Sequence, residues 1–350
     1  MRILVTGGTG FVGAHCVRAL RAAGHEITLL VRDPARVDEA LQPLGVATDH
    51  CAVVTGDVLD DAAVRRGLSG ADALLHAANI YSLNAADGEV MQRVNGEGTR
   101  RVLRAAVDEG LDPVVHVSSI AALLPGERLT SRSPLGAPYG PYQTSKTAAE
   151  ASARALQDEG APVVITNPGS VFGPHDPHLG ESAALVRDIL RGKLRVVTRG
   201  ALPVVDVRDL AAAHARLFTA GSGPRRYLMG GHLVPFPDLF RLLSQVTGRR
   251  LPRLRLPART AFVAGRMGDV AQRCGVDLGF SSAGVWSLTN LHTFEDVDTR
   301  RELGVDWRPA TNSLRDTVAW LHDQRKLSTR QAGLAGASAS QLGASAGGST

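Results

Sequence analysis

Thr6-Gly7-Gly8-Thr9-Gly10-Phe11-Val12-Gly13 follows the apolar run Ile3-Leu4-Val5 and leads into Val12, Cys16, Val17 and Leu20, spaced along one helical face. Gly7, Gly10 and Gly13 give a G-x-x-G-x-x-G spacing at the joint of strand and helix. Glycine turns sharply out of a strand because it tolerates positive φ. It also lets a pyrophosphate approach the main chain and lets the helix pack close to the strand. Phosphates placed there face the N–H groups of the first helical turn, with the helix dipole in their favour. The stretch predicts a dinucleotide site built from Gly7, Thr9, Gly10, Phe11, Val12 and Gly13. A glycine triplet alone also fits an ordinary strand-turn-helix. The context favours the dinucleotide, because a second buried strand, Glu26 to Val31, follows one βαβ unit downstream.

Further strands are read at Ala52–Thr55, Ala73–Leu75, Val114–Val117 and Val163–Thr166. Helical segments alternate with them: one capped by Asp60 or Asp61 and ending near Leu68, then about Glu89–Glu109 and Tyr142–Glu159. This alternation predicts an α/β fold, a Rossmann-type doubly wound parallel sheet. Residues 1–167 form the expected NAD(P)-binding domain, with 200–220 completing the sheet. Residues 168–199 and 221–327 read as a smaller, mostly helical substrate lobe, with helices at Ser182–Arg191, Leu210–Thr219, Pro237–Thr247, Arg259–Cys274 and Ser313–Leu321. Residues 331–350 are almost wholly Ala, Gly, Ser and Gln, a composition expected to stay disordered. No internal repeat is found.

The 350 residues suit one two-lobed unit, and 44% hydrophobic residues suffice for a large core. Net charge is +5, but the arginines are scattered without a basic run or aromatic surface, which argues against nucleic-acid binding. Cys16, Cys51 and Cys274 stand apart with no C-x-x-C, so a reducing compartment and no metal are expected. Met1 to Val5 already reads as the first strand, so no secretory leader is expected, and no apolar run approaches a membrane span. The expected location is cytoplasmic and the expected partners exclude nucleic acid and membrane.

The tip of the second strand reads Val31-Arg32-Asp33-Pro34. An acid at that tip accepts from the ribose 2′-OH of NAD, whereas an arginine suits the 2′-phosphate of NADP. Arg32, with Arg36 nearby, predicts NADP; a one-residue shift would make Asp33 a ribose acid, so NAD stays open. Tyr142 and Lys146 are at i and i+4, sharing one helical face. A nearby ammonium favours the phenolate, and the phenol can then exchange a proton with a substrate oxygen as hydride moves. Ser118 and Ser119 close the fifth strand at the carboxyl edge of the sheet, where ligands of such folds bind. Either hydroxyl can hold that oxygen.

These motifs occur in order with Gly56-Asp57-Val58, His76-Ala77-Ala78, Val94-Asn95-Gly96-Glu97-Gly98-Thr99 and Asn167-Pro168-Gly169-Ser170-Val171-Phe172-Gly173-Pro174, followed by Val205-Asp206-Val207-Arg208-Asp209. Over roughly residues 1–325 the chain resembles the extended short-chain dehydrogenase/reductases. The resemblance implies that Asp57 accepts from the adenine amino group with the Val58 backbone beside it. It implies that Ala77 and Ala78 line the ribose–phosphate path and that Pro168 and Val171 meet the carboxamide. Lys146 would also bind the nicotinamide ribose. Asn95 would stand beside the site as a structural or proton-relay group, and motif register points to Ser119 over Ser118 as the catalytic hydroxyl. A homodimer through the two long helices, with Ala148, Ala149, Ala151, Ala153 and Ala155 small enough for close helix contact, is a further expectation.

Within the resemblance, Val31–Pro34 and Pro168–Pro174 look like dihydroflavonol-4-reductase-type carbonyl reductases, implying hydride transfer between NADP(H) and a ketone, aldehyde or secondary alcohol. The alternatives are a sugar-nucleotide epimerase/dehydratase holding NAD tightly and a non-catalytic NADP sensor. His76 reads as a strand-end structural residue. His175-Asp176-Pro177-His178 looks like a metal pair but sits where substrate-lobe residues begin.

Overall fold

The computed structural model describes residues 1–82, 84–197, 199–255 and 293–336, with isolated positions between 260 and 285. Of the expected helix Arg259–Cys274 the described positions are 260, 263, 265–268 and 270, which are helical; Cys274 and residues 337–350 lie outside the described residues.

The chain opens with strand β1 (Arg2–Thr6), helix α1 (Phe11–Ala22), β2 (Glu26–Val31), α2 (Arg36–Leu41), β3 (Cys51–Thr55), α3 (Asp61–Leu68) and β4 (Ala73–His76). Helix α4 (Gly88–Met91), a wide turn at Gln92–Gly98 and α5 (Thr99–Asp108) lead to β5 (Val114–Val117). Then come β6 (Arg128–Leu129), α6 (Pro141–Asp158), β7 (Val163–Pro168) and β8 (Ser170–Phe172). The remainder holds α7 (Glu181–Leu190), β9 (Val196–Val197), β10 (Ala201–Asp206), α8 (Val207–Ala215), β11 (Arg225–Met229), β12 (His232–Pro235) and α9 (Phe236–Thr247).

Seven strands form one parallel sheet in the order β11-β7-β5-β4-β1-β2-β3. Alternate strand residues go to opposite faces, and both faces are covered, which is why these strands read as continuous apolar runs. Ile3, Val5, Leu29, Leu75 and Val115 meet α1 and α8 on one face. Leu4, Leu30, Leu74, Val114 and Ile165 meet α3, α5 and α6 on the other. Strand order reverses between β1 and β4, opening the ligand crevice of a doubly wound sheet above their carboxyl ends.

Three expectations are corrected. The seventh strand is Arg225–Met229, not a segment of 200–220. The apolar run Ala201–Asp206 instead joins β8 and β12 in a separate three-stranded sheet. Gly169 permits that departure, because a Cβ there would lie 2.5 Å from the Pro203 carbonyl oxygen. The helix expected at Glu89–Glu109 is interrupted by a π-helical turn over Gln92–Gly98, which carries Asn95. The start of the segment expected to be disordered is folded: Ser328 and Gln331 form a capping box, and Ala332 and Ala335 are buried. They join a second core in which Phe236, Phe240, Leu314 and Val318 pack α7, α9 and the helix Ala310–Asp323 together.

Candidate active site

The glycine loop has the geometry its sequence predicts. Gly7 has φ 72°, and a Cβ on it would lie 2.5 Å from the Ala78 nitrogen. A Cβ on Gly13 would lie 2.1 Å from the Gly7 oxygen, so helix and loop meet at a distance only glycine allows. The Gly10 N–H closes the turn on the Gly7 carbonyl at 2.9 Å. Gly10 caps α1 with no side chain over its first N–H groups, and no acid lies in the first turn. Phe11 and Val12 open this helix, and Thr9 stands in the turn. An uncapped helix start with a close-packed glycine turn fits a dinucleotide pyrophosphate.

The crevice walls follow. Ala77 and Ala78 touch Gly7 from the end of β4, where the Ala78 N–H points at Thr6 Oγ1 at 3.4 Å. Asp57 accepts from the Leu59 N–H at 2.9 Å and stands at the end of β3 with the buried Val58. Arg32 is exposed just past β2. Asp33 faces its own loop, accepting from the Ala35 N–H at 3.0 Å, with Arg36 at 3.9 Å. Pro168 ends β7, and Val171 lies half-buried in β8.

Tyr142, Lys146 and Ser119 converge at the carboxyl end of β5. Burial pushes the Tyr142 phenol up to about 12, opposed by the neighbouring Ser119 hydroxyl. Burial draws the Lys146 ammonium down to about 8, opposed by the Glu150 carboxylate. That ammonium donates to the Val117 carbonyl at 3.2 Å. Ser119 also caps the short turn Ile120–Leu123 by accepting from the Ala121 N–H at 3.1 Å.

Ser118 faces elsewhere. Its hydroxyl donates to Glu150 at 2.7 Å, and the same carboxylate oxygen accepts from Asn167 at 2.5 Å. Asn167 in turn donates to the Ser119 carbonyl at 3.1 Å, and Arg154 binds the other Glu150 oxygen at 2.5 Å. Glu150 is fully buried, and every one of these contacts steadies the backbone that presents Ser119. The sequence reading does not single Glu150 out. Lys146, Glu150 and Arg154 stand at four-residue steps, a pattern identical to an exposed salt-bridge ladder until the buried face of α6 is known.

Asn95 is buried in the π turn. It donates to the Ile80 carbonyl at 2.8 Å and to Ser145 Oγ at 2.9 Å, and it accepts from the Ile80 N–H at 2.8 Å. Its bonds tie the loop after β4 to α6. Ile80 precedes Tyr81, whose ring centroid lies 4.3 Å from that of Tyr142, tilted by 55°. Tyr81 is a second residue that the sequence reading misses.

The histidines separate from the chemistry. His76 bridges Thr6 Oγ1 at 2.7 Å and Thr99 Oγ1 at 2.9 Å, and burial draws it down to about 3. Asp176 accepts from the His178 and Gly180 N–H groups at 3.1 and 2.7 Å, forming a turn. Among the described residues no cluster of metal-ligating side chains exists. No described helix is long and apolar enough to cross a membrane.

Comparison with known proteins agrees with this geometry. Residues 3–230 match the family model described as NAD dependent epimerase/dehydratase family. A putative dihydroflavonol 4-reductase of Synechocystis sp. is 31% identical over 339 residues, covering 93% of this chain and 96% of that one. Sterol demethylase protein B of Methylococcus capsulatus is 28% identical over 331 residues, covering 93% and 99%. The crystal structure of gox2253 superposes with a TM-score of 0.77 at 28% identity, covering 93% and 99%. The glycine turn at the β1/β4 crevice, the parallel sheet around it and a match over most of the length make this chain a member of the NAD-dependent epimerase/dehydratase family, the extended short-chain dehydrogenase/reductases.

Proposed function

We propose that the protein is an NADP(H)-dependent oxidoreductase that interconverts a ketone or aldehyde with its alcohol, with Tyr142 as general acid/base. The observation that carries this reading is the Ser119 hydroxyl standing beside the Tyr142 phenol with a buried Lys146 that donates to the same strand end, next to the dinucleotide crevice. When bound, the nicotinamide supplies or accepts the hydride. Ser119 holds the substrate oxygen by donating to it, and Tyr142 gives that oxygen its proton in reduction or takes it in oxidation. Lys146 contributes positive charge that favours the phenolate, and it reaches toward the ribose hydroxyls. Asp57 receives the adenine amino group, Val58, Ala77 and Ala78 line the path between, and Pro168 and Val171 meet the carboxamide. Asn95, whose bonds go to Ile80 and Ser145, positions the loop and helix around Tyr142. Arg32 selects NADP over NAD, since Asp33 is engaged within its own turn. The reductase name carried by the Synechocystis relative supports the carbonyl substrate.

The test is stopped-flow loss of NADPH absorbance on mixing with a panel of aryl and alkyl ketones and aldehydes. Turnover by the parent protein and its loss in Tyr142→Phe are expected. A protein that purifies with NAD bound and rearranges a nucleotide sugar without net consumption of cofactor supports the second reading, which the family description keeps in view. Retention of NADPH binding with no turnover of either substrate class would mark a sensor.

A further inference from the structure

We propose that Tyr81 is a substrate-positioning residue: an aromatic wall over Tyr142, held in place by Asn95, that favours a flat, conjugated group beside the reacting carbonyl. The inference rests on the carbonyl-reductase reading and adds a substrate class to it. Two phenol rings with centroids 4.3 Å apart are in contact, with no room for a substrate between them. A carbonyl oxygen that reaches the Tyr142 hydroxyl must therefore pass along the edge of Tyr81. The group next to that carbonyl then lies against the Tyr81 ring. Tyr81 is placed rather than free. The backbone of its neighbour Ile80 is held at both its N–H and its carbonyl by Asn95, each at 2.8 Å. The same amide donates to Ser145, three residues along α6 from Tyr142, so wall and proton donor share one anchor.

The ring still offers a surface to a ligand, since 43% of Tyr81 is exposed. Its chemistry is selective. A flat π face stacks on other flat π systems and gains less from saturated groups. Burial raises the Tyr81 phenol well above its usual range, and the charge of Glu181, at the start of α7, adds to that. A carboxylate there disfavours anionic substituents such as a nucleotide diphosphate.

The test uses the full chain with NADPH and two ketones of the same carbon skeleton, flat acetophenone and non-planar cyclohexyl methyl ketone. Tyr81→Ala is expected to raise KM for acetophenone by roughly threefold to tenfold, the worth of an aromatic contact, while NADPH affinity holds nearly constant and any change in kcat is shared by both ketones. KM for the cyclohexyl ketone should move by less than about twofold on the same scale. Tyr81→Phe should restore the parent KM for acetophenone. Equal losses for both ketones, no loss for either, or full rescue by Tyr81→Leu overturns the inference. Failure of the parent to reduce any carbonyl sinks the underlying reading instead, and the inference with it.

A second measurement needs no substrate. The chain has only four tyrosines, so phenol ionisation can be followed by absorbance and Tyr142 assigned by difference with Tyr142→Phe. Removing the Tyr81 ring should uncover Tyr142 and move its transition down from about 12 toward the ordinary range. An unmoved transition shows that Tyr81 does not cover the acid.

Discussion

Lys146→Met should make the protein more stable and less active. Lys146 is 3% exposed, and burial draws its ammonium from 10.5 to about 8. Its folded-state pKa is thus below its unfolded one. At pH 7 the lysine is charged in both states, and the folded state carries the desolvation cost, roughly 3 kcal/mol at 1.36 kcal/mol per unit. That figure already nets the attraction of Glu150. The hydrogen bond to Val117 lost in the methionine variant returns about 1 kcal/mol, leaving a net gain near 2 kcal/mol. Between pH 8 and 10.5 the folded protein releases this proton before the unfolded chain does, so the parent gains stability as pH rises and the gap closes. Urea unfolding of both proteins without cofactor at intervals from pH 7 to 10.5 measures this. At pH 7 the midpoint of the variant should be higher by roughly 1 M for a slope of about 2 kcal/mol per M. A variant less stable than the parent at pH 7, or a gap that does not vary with pH, refutes the argument. NADPH affinity and turnover should both fall in the same variant, because its side chain is assigned to the ribose and to the phenol alike.

Tyr142→Phe should lower kcat by about 10²–10⁴-fold with NADPH affinity near normal, as measured by stopped flow and fluorescence titration. Combined with Lys146→Met it should lose less than the sum of the separate effects, because the two side chains act as one unit. NADPH should bind about tenfold to a hundredfold more tightly than NADH, and Arg32→Ala should abolish the difference; equal affinities in the parent disprove the assignment. Arg154→Met removes the ion-pair partner of the buried Glu150 carboxylate and should cost about 3–5 kcal/mol by urea unfolding. Ala151 and Ala155 are exposed on α6 one turn apart, and light scattering should give twice the 36.8 kDa chain mass; a monomer at micromolar concentration excludes the helix-paired dimer.

The cofactor half was legible because its strands are buried on both faces and its turns need glycine. Ile3-Leu4-Val5 followed by Gly7, Gly10 and Gly13 has few other folded solutions, and Gly7 and Gly13 are held by contacts no side chain could share. The seventh strand was misplaced because Leu202–Val205 is as apolar as any sheet strand, and nothing local tells a strand which distant partner it will take. The π turn is not legible because apolar spacing and helix propensity describe ordinary α turns, and no residue type in Gln92–Gly98 marks the wider i→i+5 bonding. Tyr142, Lys146 and Ser119 come together where their spacing in the motifs places them. Tyr81 and Glu150 did not show, since each owes its place to partners fifteen or more residues away: Asn95 through Ile80 for the one, Ser118 and Asn167 for the other.

Ser118 and Ser119 are identical neighbours facing different worlds. One hydroxyl is bonded to a buried carboxylate, and the other stands beside a phenol in the crevice. A library of variants scored twice, once for cellular abundance and once for turnover, should therefore split the pair. Substitutions at 118 should deplete the protein itself, tolerating only side chains that can still donate to Glu150. Substitutions at 119 should leave abundance nearly intact and empty the activity score. Over generations the two codons then answer to unlike selection, so a homologue that abandons its chemistry is free to drift at the second serine long before the first.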